Sequence, residues 1–277
     1  MLRRLLSLMD GRHGGMRAGR GGEFLDMAEY RPGDDVKDID WKATARSGRT
    51  VIKRFEATAT MQVVLVVDIG RSMGATAPSG ETKEEVALEA CATIAWLAIL
   101  RGDQVGLVAG DAGRLRQMPA RTGNAHVDLM MRRMAEDIDL TAPPSDVTRI
   151  LKRAGSATRR RSLIVVVTDH VHPLPDAEPI LTRLATKHEV IVLSVEDVDP
   201  TSFHEGTQVV DVDDGPLPDY VLRDQVLGDQ SRATVERTRS EVSAMLARRG
   251  IRQVSLSSSD GVPRALIDAL ERTAHVR

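Results

Sequence analysis

Two stretches of this sequence, Val63 to Val67 and Leu163 to Thr168, run through Val, Leu, Ile and a single Thr without a charged residue, and each is followed at once by an aspartate, Asp68 and Asp169. A strand with one face in water alternates apolar and polar residues. An unbroken β-branched run instead belongs to a strand covered on both faces, as in a parallel sheet clothed by helices. The chain after Met61 keeps to that plan. A helix opens at Thr82 with Glu85 at capping-box spacing and stays apolar nearly all round to Leu100, and Val105 to Ala109 makes the next strand. Leu115 to Met118 reads as a short edge strand, and Ala125 to Glu136 and Asp146 to Ala157 as helices. Then follow a helix (Asp176 to Lys187), a strand (Val190 to Val195), a long helix (Arg232 to Arg249), a strand (Arg252 to Leu256) and a last helix (Arg264 to Thr273). Residues 197 to 220, rich in Asp, Gly and Pro, read as a long loop with one weak strand, Gln208 to Val212. Strands separated by helices form βαβ units, so the expected fold is α/β: a doubly wound, mostly parallel sheet with helices on both faces.

The core of such a sheet is aliphatic, and the chain has only three Phe, two Tyr and two Trp. Phe24, Tyr30, Trp41 and Phe55 all precede residue 60, in a segment with no βαβ pattern. There Arg31-Pro32-Gly33-Asp34-Asp35 is a turn signal, Val36 to Trp41 and Thr50 to Phe55 alternate as strands do, and Ser47-Gly48 is a second turn. Two domains are therefore expected: residues 1–60, a β-rich module with a basic arm, which packs on or extends its neighbour through the four early aromatics, and residues 61–277, the α/β domain. The arm, residues 1–22, holds five Arg against one Asp; a solvated terminus is its plainer role, and contact with phosphate or, peripherally, with an anionic membrane surface is the other.

Several function classes are disfavoured by composition. With 38 Lys+Arg against 40 Asp+Glu, no nucleic-acid partner is expected. One cysteine, Cys91, rules out an internal disulfide framework or a thiolate zinc cage, and its place in an apolar helix marks it as inert core, like Trp96. No G-x-x-x-x-G-K-[ST] motif is present. The N-terminal stretch lacks the apolar centre and cleavage site of a secretory signal, and the most apolar segment, Val86 to Leu100, is shorter than the ~20 residues that span a bilayer. A soluble, cytoplasmic protein is expected.

Ligands of an open doubly wound sheet bind beyond the carboxyl ends of its strands, where the strand order reverses. Asp68 and Asp169 end the two most apolar strands, so neighbouring strands would aim both carboxylates into one crevice. Ser72 adds a hydroxyl four residues after Asp68, and oxygen donors of this mixture suit a hard cation such as Mg²⁺. The stretch Asp68-x-Gly70-x-Ser72 followed later by Asp169 resembles the metal-ion-dependent adhesion site of the von Willebrand factor A domain, whose pattern is D-x-S-x-S, then T, then D. Gly70 departs from that pattern by replacing a Ser, which removes one hydroxyl ligand, and a loop cap and turn set that holds no ion is the alternative role of Asp68 and Ser72. Ser145 stands best in the Thr position, with Thr148 as the other choice. The N-terminal segment carries a longer match: Gly22-Glu23-Phe24, Tyr30-Arg31-Pro32-Gly33-Asp34-Asp35, Ile39-Asp40-Trp41-Lys42-Ala43, Thr44-Ala45-Arg46 and Arg54-Phe55-Glu56 resemble the signature of the bacterial "domain of unknown function 58" family, in which such a segment precedes a von Willebrand A-like domain.

The resemblance implies a non-enzymatic protein-interaction module. Its metal set would be Asp68, Ser72, Ser145 and Asp169 around Mg²⁺, with a carboxylate of the partner completing the coordination, and its partner would be a MoxR-type AAA+ ATPase. Arg31, Asp34, Asp35, Asp40 and Trp41 are candidates for a second contact surface, although ion pairing among the charged residues and burial of Trp41 are the plainer roles. The competing expectation is a metal-dependent hydrolase or phosphoryl-processing enzyme using Asp68, Asp169 and His170. Against it, no nucleophile and base pair is evident, and His170-Val171-His172 reads as polar loop. Asp211-x-Asp213-Asp214-Gly215 lacks the closing Glu of a calcium loop.

Overall fold

The structure, a computed structural model, describes residues 24–31, 34, 36–55, 60–172, 175–200, 209–212, 215–216 and 225–274. The basic arm of residues 1–22 lies outside them, as do Asp35 and Asp213-Asp214. The chain forms two compact units, one of residues 9–60 and one that contains residues 61–277.

In the smaller unit, β1 (Phe24–Glu29) pairs antiparallel with β2 (Val51–Phe55), from Phe24 opposite Phe55 to Glu29 opposite Val51. The expected strand from Val36 to Trp41 is not one. Val36–Asp38 is a 3-10 turn, Ile39 makes a single bridge to Ile52, and Trp41–Ser47 is a helix, α1. End signals overrule alternation here. The Asp40 side chain accepts from the backbone N–H groups of Lys42 and Ala43, both at 3.0 Å, and Gly48 ends the helix at φ 70°, a left-handed conformation that glycine adopts without strain. Trp41 is 67% exposed.

The larger unit is built on a six-stranded sheet. Its strands are β3 (Gln62–Asp68), β4 (Gln104–Gly110), β5 (Leu115–Arg121), β6 (Leu163–Asp169), β7 (Glu189–Val195) and β10 (Arg252–Leu256). All neighbours are parallel except β5, which runs antiparallel to β4 at the edge. The chain winds outward from β3 through β4 to β5, then returns to the other side of β3 and winds through β6 and β7 to β10. This is the expected doubly wound, mostly parallel α/β sheet, and the reversal falls between β3 and β6, the strands with the unbroken apolar runs. Their pairing, from Val63 opposite Leu163 to Val67 opposite Val167, buries both throughout.

Helices cover both faces. Val64, Val66, Ile164 and Val166 point to a core closed by α4 (Val147–Ala157), α5 (Glu178–Lys187) and α6 (Gln225–Arg248). On the other face α2 (Lys83–Leu100) packs beside α3 (Asn124–Asp137) and α7 (Val262–Ala274). The expected capping box of α2 is present, with Glu85 N–H donating to the Thr82 hydroxyl and Thr82 N–H to the Glu85 carboxylate. Cys91 is fully buried in this helix, and burial pushes its thiol up to about 12, which leaves it unreactive at neutral pH. Trp96, by contrast, is partly exposed rather than core. β8 (Val210–Asp211) and β9 (Gly215–Pro216) pair antiparallel. No helix among the described residues is long and apolar enough to cross a membrane.

Candidate functional site

The carboxyl ends of β3 and β6 carry Asp68 and Asp169, both buried, and the structure puts them into two different networks. Asp68 accepts a hydrogen bond from Gly70 N–H at 2.9 Å through Oδ1 and from the Thr168 hydroxyl at 2.9 Å through Oδ2, and Ser145 adds its hydroxyl. Ser145 Oγ lies 3.0 Å from Ser72 Oγ. Three of the four residues expected to hold a metal thus meet, but they bond to one another.

Ser145 is brought in by backbone. Arg71 N–H donates to Pro143 O at 3.1 Å and Ala112 N–H to Pro144 O at 2.9 Å, which clamps residues 143–145 over the ends of β3 and β4, and Asp146 caps α4. The clamp explains Gly70. A Cβ there would lie 2.6 Å from Ser145 N and 2.7 Å from Ser145 Cα, inside any allowed contact. The missing serine of the metal pattern is therefore a packing requirement of this loop. Gly70→Ser is expected to destabilise the domain by about 1–3 kcal/mol through overpacking, read as a fall in Tm; an unchanged Tm would show that the loop yields freely. Thr148, the other choice for this position, lies elsewhere, with its hydroxyl 3.1 Å from Asp176 Oδ2.

Asp169 belongs to the second network. Its Oδ2 accepts from the ammonium of Lys83, whose side chain has no exposed surface, and the same Nζ donates to Asp197 Oδ1 at 2.7 Å. Asp169 Oδ1 accepts from Val171 N–H at 2.9 Å and lies 3.2 Å from His170 Nδ1, which is 3.4 Å from Asp197 Oδ2. Asp169, His170 and Asp197 converge within 4.8 Å of one another. His170 is therefore buried in the site rather than solvated loop, and His172 Nδ1 is buried without a hydrogen-bond partner.

These surroundings set the charges. Burial drives the Asp68 carboxyl above its usual range, against the hydrogen bonds of Gly70, Ser145 and Thr168 and the nearby His172. Burial would raise Asp169 as well, but the Lys83 ammonium and His170 hold it well below the ordinary carboxylate range. Burial works to lower Lys83, and the two carboxylates outweigh it. Asp197, half-buried and beside the Asp169 charge, is pushed up to about 6. For His170, burial opposes protonation and the two aspartates overcome it, so its pKa lies above the usual histidine value.

A pH dependence follows. Asp197 and His170 bind protons more tightly in the folded state than in the unfolded chain, so their contribution is present at acid pH and lost as pH rises through their folded values. Asp169, depressed, contributes at all pH values above the ordinary carboxylate range and adds no slope near neutrality. His188, lowered by burial and by Lys187, slopes the other way. The difference is therefore the useful measurement: between about pH 5 and pH 8, wild type should lose more Tm with rising pH than Asp197→Asn does, and parallel profiles would contradict the assignment.

Does this donor set suit the Mg²⁺ that the resemblance implies? It does not. Both oxygens of Asp68 are taken by protein donors, Ser72 and Ser145 bond to each other, and Asp169 faces an ammonium that would repel a divalent ion a few ångströms away.

Of the residues suggested for a second contact surface, Asp34 Oδ2 accepts from Arg31 N–H at 2.7 Å within a turn, and Asp40 caps α1 and pairs with Lys53 at 3.3 Å. Trp41 is presented to solvent on α1. Lys83, Asp197 and Thr168 carry the site and escape motif reading.

Residues 26–217 match the family model described as "Protein of unknown function DUF58". The chain belongs to the DUF58 family. Relatives of this DUF58 chain include the uncharacterized proteins Mb1516 of Mycobacterium bovis and Rv1480 of Mycobacterium tuberculosis, each 29% identical over 236 residues that cover 83% of this chain and 73% of theirs. Similar solved structures include an aerotolerance-related membrane protein from Bacteroides fragilis (TM-score 0.49, 14% identity, 76% of this chain and 99% of that one). They also include a von Willebrand factor type A protein from Catenulispora acidiphila (TM-score 0.44, 12% identity, 80% of this chain and 44% of that one). A third is the SpRpn10 VWA domain (TM-score 0.44, 12% identity, 77% and 95%).

Proposed function

We propose that this DUF58 chain is a non-enzymatic protein-interaction module and an adaptor for a MoxR-type AAA+ ATPase, which docks on the loops at the carboxyl end of the sheet. The observation that carries the reading is how this end is finished. Lys83, Asp169 and Asp197 are committed to one another there, while Leu140, in the loop whose backbone lies 3.0 Å from a Cβ placed on Gly74, is 59% exposed. An exposed apolar side chain at an end whose carboxylates are already paired suits contact better than turnover, because interface energy concentrates in a few anchor residues that become desolvated on binding. Trp41, exposed on the smaller unit, offers a second anchor of the kind enriched at such positions.

The test is binding of the full chain to the purified ATPase by surface plasmon resonance, beside a phosphoester panel with Mg²⁺, Mn²⁺ and Zn²⁺. The reading expects binding weakened about tenfold or more by Leu140→Asp, the mark of an anchor residue, and no turnover. Turnover that disappears in Asp169→Asn would establish the hydrolase instead, and a chain that does not bind the ATPase would remove the adaptor role.

A further inference from the structure

Lys83 stands where electrostatics alone would not put it. It is the first residue of α2, at the helix end whose partial positive charge disfavours a cation. Its side chain is wholly buried, and an ammonium taken out of water costs several kcal/mol unless close partners repay it. The fold supplies those partners from two further strands, Asp169 at the end of β6 and Asp197 just past the end of β7. Lys83 N–H also donates to Ala75 O at 2.8 Å, which fixes the start of α2 against the loop that follows β3. The third group facing the carboxylates, His170, is itself buried, and its Nδ1 makes no well-directed hydrogen bond although it lies 3.2 and 3.4 Å from the two aspartates. Two carboxylates and an imidazole nitrogen within 4.8 Å have the dimensions and donor types of a first coordination sphere for a borderline divalent ion. That sphere holds a side-chain cation.

We infer that the Lys83 ammonium is a built-in substitute for a divalent cation at this strand-end site, so that the domain is independent of metal, and that removing it turns Asp169, Asp197 and His170 into a site for a transition-metal ion such as Mn²⁺. The substitution is balanced in kind: one positive centre bonded to two carboxylates, supplied by the chain instead of by solution. It also accounts for the rest of the set. With no ion to hold, Asp68, Ser72 and Ser145 close on one another and position 70 needs no hydroxyl. The inference requires no partner, so its test stands or falls apart from the adaptor reading.

The experiment uses the full chain as wild type, Lys83→Ala, Lys83→Ala/Asp197→Asn and Asp169→Asn. Each is equilibrated with Mn²⁺, freed of excess ion, and examined by metal analysis, Mn²⁺ electron paramagnetic resonance and thermal melting in EDTA and in Mn²⁺. Wild type should retain no stoichiometric Mn²⁺ and melt at the same temperature in both media. Lys83→Ala should hold about one Mn²⁺ per chain and gain Tm as Mn²⁺ is raised, since an ion bound only by the folded state stabilises it; the double variant should lose both responses. Stoichiometric uptake by wild type that is lost in Asp169→Asn would overturn the inference, as would a folded Lys83→Ala that takes up no ion. Should Lys83→Ala fail to fold in either medium, the wild-type arm decides alone: uptake lost in Asp169→Asn overturns the inference, and absence of uptake upholds it.

Discussion

Lys83→Met is expected to destabilise the larger unit by about 3–5 kcal/mol in EDTA, the cost of breaking a buried ion pair from one side. For a domain of this size that is a fall in Tm of roughly 6–20 °C. The loss comes less from the missing ammonium than from what it leaves: Asp169, 3% exposed, and beside it Asp197, with only His170 to offset their charge. Methionine keeps nearly the same length of apolar chain, so a packing defect alone cannot produce the effect. A control follows from the same physics. Replacing the whole cluster by uncharged residues, as in Lys83→Met/Asp169→Asn/Asp197→Asn, should recover much of the stability, because an uncharged set of similar volume avoids the desolvation cost and the amide oxygen at position 169 can still accept from Val171 N–H. Calorimetry of the two variants reads both effects, and a Lys83→Met domain within about 1 kcal/mol of wild type would show that the pair is not the electrostatic centre of this end of the sheet.

Asp68→Ala is expected to cost about 2 kcal/mol or more, since it leaves Gly70 N–H and the buried Thr168 hydroxyl without their common acceptor, each orphaned donor costing about 1–3 kcal/mol, while Ser145 keeps Ser72 as a partner. Asp68→Asn should cost much less. Burial already favours the uncharged form of this carboxyl, the amide oxygen can still accept from Gly70 N–H, and the Thr168 hydroxyl can turn to accept from the amide. Chemical denaturation separates the two outcomes. If Asp68→Asn were as damaging as Asp68→Ala, the negative charge itself would be needed, which would point to a cation close to Asp68 that the hydrogen-bond network does not contain.

The strand plan was legible in the sequence because burial on both faces leaves a mark that survives any local detail: the runs ending at Asp68 and Asp169 could hardly be anything but central parallel strands. That the reversal falls between them is visible only in the strand order, which sets β6 beside β3. The strand expected over Val36 to Trp41 is absent because Val36, Ile39 and Trp41 mimic alternation, whereas Asp40 and Gly48 are helix-end signals that act through the backbone. The site was half legible. Asp68, Ser72 and Ser145 do meet, but motif reading treats carboxylates as ligands awaiting an ion and has no place for a competing side-chain cation. One local signal existed: Lys83 directly follows the N-cap Thr82 and opens an apolar helix at the end where a positive charge is least welcome. Asp197 gave no such sign, since it sits in an acidic stretch that reads as solvated loop, and only the pairing of β7 beside β6 carries it to Asp169.

The central claim is that a lysine, and no metal, neutralises the strand-end carboxylates. The most direct measurement is a crystal structure of the wild-type chain grown with Mn²⁺ and collected at a wavelength where manganese scatters anomalously. The account predicts continuous density for the Lys83 side chain reaching Asp169 and Asp197, with no anomalous peak within coordinating distance of Asp68, Asp169 or Asp197. An anomalous peak bound to Asp169, with Lys83 displaced from it, would contradict the account.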